Sequence, residues 1–231
     1  MPTEVARAAR AIQLLADDVR RRLYFFVRAR RSPVTRAEAA ASAGVSQKLA
    51  GFHLDRLVDE GLLTAHYARP AGRSGPGAGR TARMYEPSAA EIAISVPERR
   101  YDLAGELLVD ALVTRARDEA AEHAAARVAY DAGHTRGDAA RARAPRADER
   151  RLVNRELAAL GFEPHRDSAG DTRLGNCPFH ALASRNASLV CGMNHAFVRG
   201  LLAGVSSADE AILDPQPSHC CVRIQPSGAR A

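Results

Sequence analysis

Four cysteines, all beyond residue 176, carry most of the chemical potential of this 231-residue chain. They are Cys177 in NCPFHALA, Cys191 in SLVCGMNHAF and the pair Cys220-Cys221 in HCCVRI. Thiolates suit zinc and iron-sulfur clusters alike, so ligand softness does not choose between them. The intervening stretches of 13 and 28 residues are far wider than the roughly two to four residues that separate ligands in common zinc knuckles. A site made from these residues therefore has to be assembled by the fold. If the last pair lies on a strand, neighbouring side chains point to opposite faces. Cys220 then shares its side with Val222 and Ile224, and Cys221 sides with His219 and Arg223. On that reading the metal ligands are Cys177, Cys191 and Cys220. The fourth position falls to Cys221, to His180, His195 or His219, or to an exogenous group. Buried free thiols packed as small hydrophobes are the alternative. A thiol-dependent redox enzyme using Cys177 near His180 is a further one. Neither a nucleotide-binding loop nor a complete set of nucleophile, base and orienting group accompanies it, so the expectation is a protein that is not an enzyme.

The elements that must position this chemistry begin far upstream, in TRAEAAASAGVSQKLAGFHLDRLVDEG, residues 35–61. Thr35 and Glu38 have the T-x-x-E spacing of a capping box, which starts a helix. Gly44 supplies a sharp turn, Val45 an apolar pin, and Ser46 a helix cap. Ala50, Leu54, Leu57 and Val58 then recur at the period of a helix packed on a core, and Gly61 ends it. The pattern predicts a helix-turn-helix. Its leading face carries Ser46, Gln47, Lys48, Gly51, Phe52 and His53, short polar or basic groups with one aromatic ring, and is the expected DNA-binding face. Gly51 in mid-helix costs about 1 kcal/mol relative to Ala, which a close approach of DNA backbone there would explain.

Around it, Val5, Ala8, Ile12 and Leu15 suggest a leading helix. A second helix begins at Asp17 or Asp18, with Val19, Leu23, Phe26 and Val27 inward, and ends before Pro33. Residues 62–67 and 82–85 read as strands flanking the glycine-rich ARPAGRSGPGAGRT, a wing whose Arg69, Arg73 and Arg80 suit phosphate or minor-groove contacts. Ile92, Ile94 and Val96 alternate as in a strand. After Pro97, Leu103, Leu107, Ala111 and Leu112 form the seam of a long helix reaching about Asp131, which predicts pairing across a two-fold axis. Residues 134–147 show turn and charge signals and read as a connector. A helix near 147–160, a hairpin about residues 168–171, a helix over 189–203 and a strand over 219–225 complete a small α+β region. The expected division is residues 1–90 for a winged helix-turn-helix DNA-binding domain, 91–133 for a linker strand and dimerisation helix, and 134–231 for a cysteine-containing sensor domain, α+β in class overall.

Charge agrees with this division. The net charge is +6, but residues 1–90 hold 15 basic against 8 acidic residues and the remainder 18 against 19, so the excess belongs to the half with the helix-turn-helix. Only Lys48 among the basic residues is lysine, and Ala and Arg abound, which points to a GC-rich genome as much as to arginine chemistry. No apolar run approaches the roughly 20 residues of a membrane span, and MPTEVARAAR has no signal-peptide apolar region. The expectation is a cytoplasmic protein with no membrane partner, whose clustered cysteines in a reducing compartment are ligands or redox groups before disulfides.

LADDVRRRLYFFV, AGVSQKLAGFHLDRLVDEGLL and the glycine-rich wing resemble ArsR-like winged-helix regulators. VPERRYDLAGELL, CPFHALA, LVCGMNHAFVRGLL and DPQPSHCCVRI resemble the SufR-type branch of that family, over about residues 14–225. The resemblance implies a homodimeric repressor that binds a double-stranded DNA operator and controls genes for iron-sulfur cluster assembly. It also implies an iron-sulfur cluster, 4Fe-4S rather than 2Fe-2S, held by Cys177, Cys191 and Cys220 or Cys221. Some relatives carry a further cysteine between the second and last; here residues 192–219 have none. A zinc site or a bare thiol redox sensor on the same winged-helix regulator is the alternative function.

Overall fold

A computed structural model describes residues 2–68, 81–216 and 219–228. The chain is mixed α+β and divides into two compact units, residues 1–94 and 95–231. This differs from the expected three-part division, because residues 95–133 share one core with everything that follows them.

In the first unit, α1 (Pro2–Leu14), α2 (Asp18–Ala29), α3 (Arg36–Ala43) and α4 (Gln47–Asp59) accompany three short strands. These are β1 (Val34–Thr35), β2 (Leu63–Ala68) and β3 (Ala82–Pro87), in the antiparallel order β1-β3-β2. Local chemistry explains the boundaries. Asp17 accepts the Arg20 N–H at 2.8 Å and caps α2. The Thr35–Glu38 capping box starts α3, and Gly44, at φ 64°, ends it in the left-handed conformation that glycine tolerates. Ser46 caps α4 by accepting the Leu49 N–H at 3.2 Å. Ala50, Leu54 and Leu57 are buried against Leu23, Val27 and Tyr85. On α1, Ala8 is buried and Leu15 packs on the core as the stripe predicts, whereas Ile12 is exposed and Ala11 and Leu14 are buried instead.

The second unit contains α5 (Tyr101–Thr114), α6 (Ala121–Arg143), α7 (Glu149–Ala159), α8 (His180–Ala183) and α9 (Ala187–Val205). Its four strands are β4 (Pro164–Arg166), β5 (Thr172–Leu174), β6 (Glu210–Leu213) and β7 (Val222–Gln225), in the antiparallel order β4-β5-β7-β6. Several expectations are corrected here. Residues 92–96 form no strand. The single long helix is two helices, α5 and α6, separated by residues 115–120. The supposed connector is helical as far as Arg143.

The seam of α5 is divided. Leu107 and Ala111 are buried in the unit's own core and Leu103 packs against it, whereas Leu112 of the same inferred seam is exposed. Tyr101, Val109 and Val113 are exposed as well, Leu112 at 67% and Val113 at 79%.

Glycine decides how α6 and α9 meet. Gly133 and Gly137 on α6 face Gly200 and Gly204 on α9. A methyl group added at Gly133 would stand 2.1 Å from the Phe197 carbonyl oxygen, and one at Gly200 would stand 2.0 Å from that of Tyr130. The two backbones touch, as in the small-xxx-small contacts of tightly paired helices. By length and composition α9 could cross a bilayer, but 61% of that stretch is buried inside the unit. A core helix walled by α6 and the sheet reads as apolar nearly all round.

Candidate thiol cluster and nucleic-acid interface

The four cysteines come from three places in the second unit. Cys177 follows β5 and precedes α8. The chain there is clamped by Arg99, whose Nη1 donates to the Asn176 Oδ1 at 2.6 Å and to the Cys177 carbonyl at 2.7 Å. Asn176 in turn donates its Nδ2 to the carbonyls of Gly161 and Glu98. Cys191 lies in the second turn of α9, a helix whose first turn is capped by the Asn186 side chain accepting the Leu189 N–H at 3.1 Å. Cys220 and Cys221 lie just ahead of β7. The Cys220 N–H donates to the Leu174 carbonyl at 2.9 Å, and the Cys221 carbonyl accepts from Asp214 N–H at 2.7 Å.

These anchors bring the thiols together. Cys220 interacts with both Cys177 and Cys221, and Cys221 also with Cys191. Cys220 and Cys221 are buried and form the floor, while Cys177 and Cys191 are half-buried at the rim. The alternation argument that turned Cys221 away is thus corrected. The strand begins only at Val222, and in the irregular backbone before it both sulfurs reach the same patch. His180 and His219 are exposed, and the Nε2 of His195 lies 2.9 Å from the Ala211 carbonyl. Among the described residues, no three His, Cys, Asp or Glu side chains are arranged to close on a single metal ion.

The thiols differ in proton affinity because of their place in this network. Cys220 donates toward Cys177 and Cys221, which raises its own pKa; burial raises it further. The same bond holds Cys177 below the ordinary thiol range, and Cys221, accepting from Cys220, Cys191 and Asn194, is brought down to about 6. Burial, then the bond to Cys221, pushes Cys191 up to about 12. The network thus lowers the proton affinity of Cys177 and Cys221 and raises that of Cys191 and Cys220; the deprotonated form is the one that ligates metals. Such a donor set fits a group held by several sulfurs. Nothing in its sequence neighbourhood had singled out Asn194, which is buried among these sulfurs. The available signal was its position three residues after Cys191, which places the two side chains on one helix face.

In the first unit, Ser46, Gln47, Lys48 and Phe52 are exposed along α4, Phe52 at 57%. Gly51 and His53 are not on that surface. A methyl at Gly51 would lie 2.8 Å from Nε of the exposed Arg36, a side chain of the same unit that covers this position. His53 is buried, and its Nδ1 accepts from the Arg20 Nε at 3.3 Å. Burial lowers its pKa. Arg69, Arg73 and Arg80 lie outside the described residues; the strands on either side, β2 and β3, pair from Leu63↔Pro87 to Ala68↔Ala82. Asp55 of α4 is held to β3 by the Tyr85 hydroxyl at 2.8 Å and by Arg83 at 3.1 Å, which fixes the helix on the hairpin. Arg36, exposed beside Gly51, is a basic group at this face that the sequence pattern had not singled out.

Compared with models of protein families, with curated proteins and with solved structures, the chain matches none.

Proposed function

We propose that this chain is a DNA-binding transcriptional regulator whose operator affinity is governed by an iron-sulfur cluster held in its second unit. The observation that carries the reading is the meeting of Cys177, Cys191, Cys220 and Cys221 in one patch from three separate segments. Four sulfurs gathered in one patch are a donor set that a cluster can use, and in a reducing, cytoplasmic compartment they stay available as ligands. When bound, a cluster supplies a centre that oxidants can alter. The chain's own residues do the rest. Cys220 and Cys221 anchor it from the buried side, Cys177 and Cys191 hold its solvent edge, and Arg99 and Asn176 fix the segment carrying Cys177.

The first unit is read as a winged helix-turn-helix, with α3, the Gly44 turn and α4 as its core and the β2–β3 hairpin as the wing. In this reading α4 enters the major groove of double-stranded DNA, Ser46, Gln47, Lys48 and Phe52 meet it, and Arg69, Arg73 and Arg80 contact phosphates. A homodimer would read two half-sites, and the exposed apolar face of α5, which includes Leu112 of the inferred seam, supports pairing with a second copy. The resemblance to SufR-type proteins extends the reading to a repressor of cluster-assembly genes.

Anaerobic purification followed by iron, sulfide and zinc analysis tests the proposal. The expected result is iron with sulfide and visible absorbance in the wild type, lost in the single Cys→Ser variants of all four positions, with operator binding that changes on oxidation. Colourless protein holding zinc without sulfide would replace the cluster with a zinc site.

A further inference from the structure

One side chain in the thiol patch has no evident use in a protein without a bound group. Asn194 is only 1% exposed, on α9 three residues after Cys191. Its Nδ2 lies 3.1 Å from the Cys220 Sγ and 3.9 Å from the Cys221 Sγ, and its Oδ1 is buried with no hydrogen-bond partner. A buried carboxamide with an unpaired oxygen is destabilising, and an apolar residue of equal size would avoid the penalty. The neighbours on this helix, Val190, Met193, Phe197 and Val198, are apolar and buried, so the core at this depth does accept such side chains. What leucine could not provide is an N–H directed at sulfur. Hydrogen bonds to ligating sulfur orient the ligand and offset negative charge, which favours the reduced state.

We infer that Asn194 is a positioning residue of the proposed cluster: its Nδ2 orients Cys220 and Cys221 for ligation and raises the reduction potential of the group they hold. The inference rests on the function proposed above. It also assigns the orphaned oxygen a reason, since the amide is placed for its nitrogen and the oxygen is left over on the far side. Cys177 and Cys191 receive no bond from this amide among the described contacts, so the effect acts from the buried side of the patch.

Asn194→Leu removes the N–H with little change in volume, and Asn194→Asp keeps the shape while replacing the donor with an acceptor. Both are reconstituted anaerobically beside the wild type, and iron, sulfide, midpoint potential and the melting temperature of the metal-free chain are measured. In Asn194→Leu the oxidised-to-reduced ratio at fixed potential should rise at least tenfold, a drop of 59 mV for a one-electron couple, and Asn194→Asp should fall further or lose the cluster. Metal-free Asn194→Leu should melt at or above the wild-type temperature, because the orphaned oxygen is gone. A purely structural role would instead leave the potential unchanged and lower the melting temperature. Unchanged potential in a filled Asn194→Leu overturns the inference and leaves the cluster standing. If neither variant retains a cluster, metal-free melting at the wild-type temperature supports the inference, and lowered melting in both overturns it. A wild type that takes up no iron and sulfide overturns the proposed function and this inference with it.

Discussion

Replacing Gly200 with alanine adds one methyl group where α6 and α9 have no room for it. That methyl would stand 2.0 Å from the Tyr130 carbonyl oxygen and 2.9 Å from the His134 nitrogen. Both are backbone atoms, so no rotamer change relieves the clash. The helices must separate by about 1 Å, a gap that forfeits a quarter to a half of each lost contact's van der Waals attraction along the pair. Overpacking of this kind costs about 3 kcal/mol, the upper part of its usual range, because backbone rather than side chains must move. Against this, alanine gains about 1 kcal/mol of helix propensity over glycine. The net loss is about 2 kcal/mol, or about 6 °C in melting temperature for a unit of this size. Gly133, 2.1 Å from the Phe197 carbonyl oxygen by the same construction, should behave alike. Gly105 on α5 is the control, since nothing lies within 4 Å of an added methyl; its alanine variant should be stabilised by up to about 1 kcal/mol. Thermal and urea unfolding of the three variants decides the matter. If Gly200→Ala melts at or above wild type, as Gly105→Ala should, the backbone contact described here is wrong.

Lys48→Ala should weaken binding to all DNA sequences and lower the salt slope by about 0.9 per subunit, whereas Gln47→Ala should relax base preference; fluorescence anisotropy on operator and random DNA separates the two, and unchanged binding in the double variant refutes the interface. Leu112→Glu with Val113→Glu should yield monomers by sedimentation with the fold retained, while Leu107→Glu, which buries a charge in the unit's own core, should unfold the second unit; a dimer persisting in the double variant places the interface elsewhere. His53 titrates below its ordinary 6.5 because it is buried. The unfolded chain therefore takes up the proton first, so this contribution to stability is complete above pH 6.5 and is lost as pH falls from there toward the lowered folded value. Denaturant unfolding at pH 7.5 and 5.5 should show this loss in wild type and a smaller one in His53→Gln; equal pH dependence in both removes His53 as its source.

Local rules reach some of these features and stop short of others. The capping box at Thr35, the left-handed turn at Gly44 and the cap at Ser46 were legible because each is settled by hydrogen bonds within a few residues. The inward stripe of α4 was legible for the same reason, since helical period alone assigns it. The burial of His53 and Gly51 was not legible because what lies over them, Arg20 and Arg36, comes from other helices. The α5 seam was legible only in part, for a related reason: an apolar stripe says that a face is covered, not by what, and here α5 carries apolar residues on the covered and the exposed side alike.

From the sequence alone came the identity of the thiols, the charge bias toward the first unit, and the helical pair with its flanking strands, all properties of residue type and short-range spacing. Tertiary structure alone decided that Cys221 joins Cys177, Cys191 and Cys220, because the alternation rule holds only inside a strand and β7 starts one residue later. It also decided that Asn194 stands among the sulfurs and that residues 134–143 are helix rather than connector. In that segment Gly133 and Gly137 weaken the local helical signal, and their use appears only when Gly200 and Gly204 are brought against them. A glycine that is unfavourable for an isolated helix is required where two backbones touch, and no local pattern carries the position of the second backbone.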